Sequence, residues 1–138
     1  MNRTDLHMLA GIRLEEAEAL LLASRYDGAY YLAGYAVACA LKACIARQTA
    51  LHDFPPKPDS VHRVYTHKLD SLLEVAGLGA RLHAEEQHSR PFALNWSAVK
   101  RWNEESRYER HSEAEARELY RAIGEPTDGV LQWIQQHW

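Results

Sequence analysis

The sequence predicts a single all-α domain over residues 1–138, and both its composition and its patterning point to that class. Ala and Leu occur 20 and 17 times, whereas Val and Ile occur only 6 and 4 times. Helices favour Ala, Leu and long unbranched side chains, while strands favour β-branched residues. No long stretch alternates apolar and polar residues at period two. With 46% hydrophobic and 25% charged residues, the chain has the composition of one folded globule.

Charge and length exclude several classes of protein. The 16 basic and 19 acidic residues leave a net charge of -3, which excludes a histone-like protein covered in cations but permits a local basic patch. The N-terminus lacks the apolar core of a signal peptide, and the longest uncharged run has 14 residues, too few to cross a bilayer. Cys39 and Cys44 lie five positions apart on one predicted helix, so their side chains diverge and are expected to be free thiols. We therefore expect a cytoplasmic protein with no membrane contact.

Capping residues and apolar spacing predict the first two helices. Thr4 is the expected N-cap of a helix that ends near Arg25, and Asp27 is the expected N-cap of a second helix over residues 28–48. The second helix is rich in small residues and is apolar on nearly every side. Such a helix lies either in the core of a monomer or against a partner subunit, and the sequence leaves both alternatives open.

A proline-rich connector over residues 49–65 is predicted to follow, because three prolines there exclude regular structure. Thr66 is the expected N-cap of a third helix that reaches Ala76, with Gly77 as its stop. A shorter helix is predicted over residues 79–88, and Pro91 is expected to end that region.

The C-terminal third predicts three further helical segments. The first covers residues 96–103, with Asn95 as its expected cap. Ser112 and Glu115 form a capping-box pattern that opens a helix ending at Ile123. The last helix is predicted to start near Asp128.

The segment KRWNEESRYERH at residues 100–111 is the candidate site for chemistry. It ends at the predicted N-terminus of the Ser112 helix, where unpaired amides and the helix dipole favour a phosphate. Arg107 and His111 lie four positions apart, so in a helical turn they would face the same way. An arginine can clamp a phosphate and a histidine can move a proton, which are the two groups that metal-independent RNA cleavage needs.

A plainer alternative is a solvated face on which Glu104, Glu105 and Glu109 pair with the neighbouring arginines. The spacing of the histidines and cysteines matches no metal-binding motif, and no Gly-rich phosphate loop is present. We therefore expect no metal and no cofactor.

The pattern YYLAGYAV at residues 30–37, with ALKA at 40–43, resembles the second helix of HEPN domains (higher eukaryotes and prokaryotes nucleotide-binding). The stretch 17–29, YTHKL at 65–69 and SRYE at 106–109 occur in the order that this family shows, so the resemblance covers about residues 10–123. It implies an up-and-down bundle of four to five main helices, commonly a homodimer. Many members are metal-independent endoribonucleases or toxins. Others bind nucleotide or nucleic acid, or partner a small nucleotidyltransferase encoded beside them.

Two positions depart from the catalytic pattern of that family, in which four to six residues separate an Arg from a His at the dimer cleft. Arg107 and His111 have only three residues between them. Ala38 stands where relatives often carry an acidic residue. Both departures count against ribonuclease activity.

The resulting hypothesis is a homodimeric HEPN-like domain that binds RNA or a nucleotide through phosphate contacts, with RNA hydrolysis at Arg107 and His111 as the weaker expectation. The residues expected to line its cleft are Tyr35, Lys42, Arg107, Tyr108, Arg110 and His111. The alternative is a non-catalytic, dimerising interaction subunit, for example the partner of a small nucleotidyltransferase in a toxin–antitoxin pair. Trp133 and Trp138 would then form partner contacts.

Overall fold

The structure is a computed structural model that describes residues 1–52 and 66–138. Within those residues every regular element is a helix, so the prediction of an all-α fold is confirmed. The helices are α1 (Arg3–Leu22), α2 (Tyr26–His52), α3 (Leu69–Val75), α4 (Gly79–His88), α5 (Arg90–Val99), α6 (Glu113–Gly124) and α7 (Val130–Gln135). A 3-10 helix, Glu104–Tyr108, lies between α5 and α6. The predicted connector falls mostly on residues 53–65, which lie outside the described residues, although α2 continues into its first positions.

Helix α2 lies at the centre of the bundle. It packs against α1, α3, α6, α7 and the 3-10 helix, and an unbroken run from Ala36 to Leu41 is buried. Packing within the bundle accounts for the small, apolar side chains on the buried sides of α2. Among the described helices, α2 alone is long and apolar enough to cross a membrane, but most of that stretch is buried inside the fold, as in the core helix of many globular domains.

The packing of Gly34 explains why one residue of α2 is small. A Cβ atom at Gly34 would lie 2.3 Å from two carbon atoms of the Trp102 indole, far inside van der Waals contact. Trp102 is 1% exposed and is the largest of the fully buried side chains. Position 34 is therefore restricted to glycine by the indole that packs against it.

The capping residues that the sequence predicts agree only in part with those in the structure. The Ser112 capping box is confirmed, since Ser112 Oγ accepts from the Glu115 amide at 3.1 Å. Gly77 follows α3 with φ of +73°, the left-handed conformation expected of a helix stop. The predicted Thr4 cap is wrong, because Asn2 forms a capping box with Asp5 and α1 begins at Arg3.

Three further predicted helix boundaries are wrong because the residues concerned have other roles. Ser89, not Asn95, caps α5, and Pro91 lies in the first turn of that helix, where its missing amide hydrogen costs nothing. Asn95 is buried, and its side-chain amide donates to the carbonyl of Asp128 at 3.0 Å. Thr66 does not cap α3, which begins at Leu69 with no side-chain cap.

Both cysteines are free and buried, as predicted. Burial raises the pKa of the Cys44 thiol to about 12 and also raises the pKa of Cys39. The thiolate is the nucleophilic form of cysteine, so neither residue is suited to covalent catalysis. Both side chains act as small apolar groups in the packing of α2.

Candidate functional site

The predicted site residues divide between two regions of the surface. The 3-10 helix ends at Tyr108, and Glu109 then adopts an extended conformation with φ of -101° and ψ of 156°. Arg107 and His111 therefore do not share a helical turn, and the expectation that they face the same way is wrong. Arg107 contacts Tyr108, whereas His111 stacks on Tyr30 of α2.

The first region combines basic and aromatic side chains from three elements, and we call it the Lys42–His67 patch. Helix α2 supplies Tyr31, Tyr35 and Lys42, which follow one another at intervals of one turn and two turns. His67 precedes α3, and the 3-10 helix supplies the arginine. The members of the patch are Tyr31, Tyr35, Lys42, His67, Arg107 and Tyr108.

A direct contact between Lys42 and His67 defines the centre of the patch. The Lys42 Nζ lies 3.4 Å from His67 Nδ1, so the ammonium donates when that ring nitrogen carries the lone pair. The ring of Tyr35 lies 5.8 Å from the ring of His67, and Tyr31 lies 5.8 Å from Tyr35. The ammonium group thus emerges beside a continuous row of aromatic rings.

Two contacts hold the patch in place from behind. The buried Trp102 stacks against Tyr31 with ring centroids 5.8 Å apart and an interplanar angle of 27°. The carboxylate of Glu104 accepts a hydrogen bond from the His67 backbone amide at 3.2 Å. Trp102, just before the 3-10 helix, therefore supports the aromatic row, and Glu104, the first residue of that helix, fixes the histidine that precedes α3.

The electrostatics of the patch are those of cations that lack a close anionic partner. Burial lowers the pKa of Lys42, and Cys39, in its ionised form, and Glu104 oppose that shift. Burial also lowers the pKa of His67, and the positive charges of Lys42 and Arg107 lower it further, against Glu104. No carboxylate of the described residues lies within ion-pairing distance of Lys42 or Arg107. Two cations thus act on one imidazole without direct neutralisation.

Arg107 and Tyr108 form the exposed rim of the patch. The guanidinium carbon lies 4.9 Å from the centroid of the Tyr108 ring, a cation–π contact. Tyr108 is 75% exposed, which is unusual for a large aromatic side chain. The pKa of Arg107 is raised by Tyr108 first and by Tyr31 to a lesser extent. Both groups are open to a ligand from solvent.

Arg110 and His111 lie in the second region, among carboxylates. The Nε of Arg110 is 3.2 Å from the carboxylate of Asp27, which also accepts a hydrogen bond from the His111 backbone amide at 2.6 Å. Asp27 therefore binds the segment before α6 instead of capping α2, and the predicted cap is wrong. The His111 ring stacks on Tyr30 with centroids 3.6 Å apart, and its side chain is only 7% exposed.

A capping box and two acidic side chains disfavour a phosphate at the start of α6. Ser112 and Glu115 bind each other's backbone amides, and Glu113 and Glu115 already place negative charge in the first turn. The plainer alternative is also not found, because the carboxylate that pairs with Arg110 belongs to Asp27. Glu104 binds the backbone of His67 instead of an arginine. Within the described part of the chain, no group of three or more histidine, cysteine or acidic residues is placed to hold a metal ion.

His67 is the functional candidate that sequence reasoning missed. It is separated from Lys42 by 25 positions, and only the packing of the segment before α3 against α2 brings the two together. The YTHKL stretch of the family resemblance contains this histidine but gives it no role.

No family model, no curated protein and no solved structure matches this chain. The family resemblance and the function it implies therefore stay predictions. The geometry of the Lys42–His67 patch is the structural basis for proposing a function.

Proposed function

We propose that this protein is an HEPN-like helical domain that binds RNA or a nucleotide through phosphate contacts at the Lys42–His67 patch. The observation that carries the proposal is the pair of cations, Lys42 and Arg107, which both act on His67 with no carboxylate of the described residues at ion-pairing distance from either. A phosphate between them would supply the missing negative charge.

Each polar group of the patch has a distinct role toward a phosphate. Lys42 supplies a compact positive charge, and Arg107 can donate two parallel hydrogen bonds to phosphate oxygens. His67 gains a donor when it is protonated, and a nearby phosphate favours that protonated form. Tyr108 and Tyr35 offer ring faces on which unpaired bases can stack, which is how proteins commonly hold single-stranded RNA.

The net charge of the whole chain limits how this binding works. Because the net charge is -3, long-range attraction to a nucleic acid is weak, and the patch must act locally. We therefore expect binding of a short single strand or a nucleotide, with an affinity that falls as salt rises.

The proposed function is the binding of RNA or a nucleotide, and RNA hydrolysis is tested separately. His111 is enclosed by Tyr30 and by the carboxylates of Glu109 and Glu115, so it is not placed beside Arg107 to act on the same phosphate. Cleaved RNA that ends in a 2′,3′-cyclic phosphate, lost in His111→Ala, would instead establish the ribonuclease activity that the resemblance implies.

The test compares two lysines by the fluorescence anisotropy of a labelled single-stranded RNA at low salt. Lys42→Gln is expected to weaken binding about tenfold, the effect of one charge-assisted hydrogen bond. Lys100→Gln, an equal loss of charge at an exposed position after α5, is the matched control and is expected to change little. An equal loss in both variants, or no binding of the unmodified protein, would overturn the proposal.

A second candidate function is that of a dimerising interaction subunit, such as the partner of a small nucleotidyltransferase. An exposed apolar row on α1 favours it, since Met8 is 61%, Ile12 is 41% and Leu22 is 81% exposed. The predicted role of the two C-terminal tryptophans does not add support, because Trp133 is buried in the core and Trp138 stacks on His7. A stable complex with another protein, together with no RNA binding at low salt, would favour this function over the first.

A further inference from the structure

Three arginines from three different helices converge on His137 and Trp138. Arg3 of α1 donates a hydrogen bond to the carbonyl oxygen of Trp138 at 3.2 Å. Arg47 of α2 donates to the carbonyl oxygen of His137 at 3.3 Å, and Arg81 of α4 donates to Nδ1 of the same residue at 3.3 Å. We call these three arginines the arginine cluster, and it shares no residue with the patch proposed for RNA.

The positive charge of the arginine cluster is not neutralised by side chains. No side-chain carboxylate of the described residues lies within ion-pairing distance of any of the three guanidinium groups. A terminal carboxylate on Trp138 would offset only one of the three charges. Because like charges held close together repel one another, the arrangement costs free energy unless an anion joins it.

Each guanidinium group in the cluster keeps most of its hydrogen-bond donors for a ligand. A guanidinium carries five N–H groups in a planar fork, and the contact described above uses one of them. All three side chains are exposed, so solvent reaches the cluster. The contacts to the main chain and to the imidazole orient the groups before an anion arrives, which lowers the cost of binding it.

The start of α4 adds positive potential at the same place. Arg81 lies in the first turn of α4, which contains no acidic residue. The N-cap residue, Leu78, supplies no side-chain hydrogen bond to the first amides. The positive end of the helix dipole therefore lies beside an arginine, an unfavourable arrangement that a bound anion would reverse.

Two histidines beside the cluster respond to its positive charge. Burial lowers the pKa of His137, and the charges of Arg81 and Arg47 lower it further. Burial also lowers the pKa of His7, and Arg3 adds to that shift. No carboxylate of the described residues opposes either shift, so the potential around both rings is positive.

We propose that the arginine cluster binds a phosphate group that carries two or more negative charges, as a phosphate monoester or a polyphosphate does. Guanidinium forks match the oxygens of a phosphate in pairs. A monoester carries nearly two charges at neutral pH and balances more of the cluster than a backbone phosphodiester, which carries one. The group comes either from a free phosphate compound or from the phosphorylated end of an RNA strand, and only the second source rests on the RNA binding proposed above.

The test follows the ring signals of His137 by NMR during a titration of the full chain with pyrophosphate. We expect a saturable shift and a rise in the pKa of His137, because the bound anion offsets the charges that lower it. Dimethyl phosphate, which carries a single charge, is expected to bind about tenfold more weakly or worse. No saturable shift with pyrophosphate, or equal affinities for the two anions, would overturn the proposal.

Variants separate the cluster from general attraction between charges. Arg47→Gln is expected to weaken pyrophosphate binding about tenfold, the effect of one charge-assisted hydrogen bond, and Arg81→Gln should act in the same direction. Arg25→Gln is the matched control, because it removes an exposed arginine that follows the opposite end of α1 from Arg3. Thermal denaturation checks that each variant is folded. Equal losses in Arg47→Gln and Arg25→Gln would contradict a built site.

A last comparison separates the two sources of the phosphate. Single-stranded RNA with a 5′-phosphate is titrated beside the same strand with a 5′-hydroxyl. Tighter binding of the phosphorylated strand, lost in Arg47→Gln, assigns the cluster to the end of an RNA. Equal binding of the two strands, together with saturable binding of pyrophosphate, assigns it to a free phosphate compound. The signals of His137 report on the cluster and Lys42→Gln reports on the patch, so either proposal can fail while the other holds.

Discussion

The two histidines His67 and His111 occupy opposite electrostatic environments within one small bundle. His67 lies beside the ammonium of Lys42 and within the influence of Arg107. His111 lies between the carboxylates of Glu109 and Glu115 and stacks on Tyr30. Adjacent residues of α2 contribute to the two regions, since Tyr31 belongs to the patch and Tyr30 stacks on His111.

This difference shows that residue type alone does not determine what a histidine can bind. Both rings are partly removed from solvent, and each has one ring nitrogen in contact with a charged side chain. The sign of the charge that surrounds each ring differs, so that the first region suits an anion and the glutamates beside His111 in the second region repel one. A change that affects one region and not the other is therefore the most direct test of this division.

The largest expected effect comes from Gly34→Ala. The new Cβ would lie 2.3 Å from the Trp102 indole, so α2 or the ring must move, at a cost of roughly 3 kcal/mol in the free energy of unfolding. Movement of the indole also removes the support of Tyr31 and should reduce RNA binding at the Lys42–His67 patch. Urea denaturation and RNA anisotropy measure both.

Gly11→Ala is the matched control for that substitution. Nothing lies within 4 Å of a Cβ at Gly11, on the exposed side of α1, so alanine should stabilise the helix by about 0.5–1 kcal/mol. Equal stabilities of the two variants would mean that Trp102 does not pack on Gly34 as described.

A smaller effect is expected from separate substitutions of Arg107 and Arg110, which lie three positions apart. Arg107→Gln should weaken RNA binding about tenfold, since it removes a cation that pairs with no carboxylate of the described residues. Arg110→Gln should change it little, because that side chain already pairs with Asp27 at 3.2 Å. Anisotropy titrations at several salt concentrations test the pair. The reverse order of effects would place the RNA at the start of α6 and contradict the division between the regions.

Ser112→Ala is expected to cost about 1 kcal/mol of stability, the typical loss of a helix N-cap. It also releases Glu115, which contacts both Ser112 and His111, and should leave RNA binding at the Lys42–His67 patch intact. Ser97→Ala, at an exposed position of α5, is the control and should be neutral. Thermal denaturation and RNA anisotropy measure the two effects, and a loss of RNA binding would show that the regions are coupled.

The smallest expected effect is the contribution of His67 to the pH dependence of folding stability. Its pKa lies below the usual value of 6.5 in the folded protein, chiefly because of burial and then because of Lys42. The unfolded chain then binds more protons between the two pKa values, so stability is full above about pH 6.5 and falls as pH drops toward the folded pKa. In His67→Gln, stability should depend less on pH in this range, because the imidazole no longer contributes.

Ligand binding should change the titration of the same residue in the opposite direction. A phosphate at the patch favours the protonated imidazole, so RNA should raise the pKa of His67 as followed by NMR. His111 is the internal comparison, because RNA should leave its ring signals in place. A fall or no change in the pKa of His67 would contradict phosphate contact there.

The sequence could predict the fold class and the helix ends that depend on local chemistry. The Ser112 capping box and the Gly77 stop involve groups within a few positions of one another, so their patterns are visible in the sequence. Asp27 and Asn95 also have the right chemistry for caps, but distant parts of the chain use their side chains instead. The partner of Asp27 is 84 positions away, and that of Asn95 is 33 away.

The candidate site was predictable only in part for the same reason. Lys42, Tyr35, Arg107 and Tyr108 were found as basic and aromatic residues, and they belong to one patch. The pairing of Arg107 with His111 assumed a continuous helical turn, whereas the chain extends at Glu109. The contact of His67 with Lys42 arises from tertiary packing and leaves no periodic pattern in the sequence.

The packing of Trp102 also gives the protein an optical reporter of its own surface. Its indole is fully buried against Gly34 and touches the underside of Tyr31, while the outer residues of the patch face solvent. A base that settles on the aromatic row must perturb the excited state of this ring, so emission near Trp102 should respond to nucleotides without any attached dye. Replacement of the other three tryptophans by phenylalanine would isolate that signal.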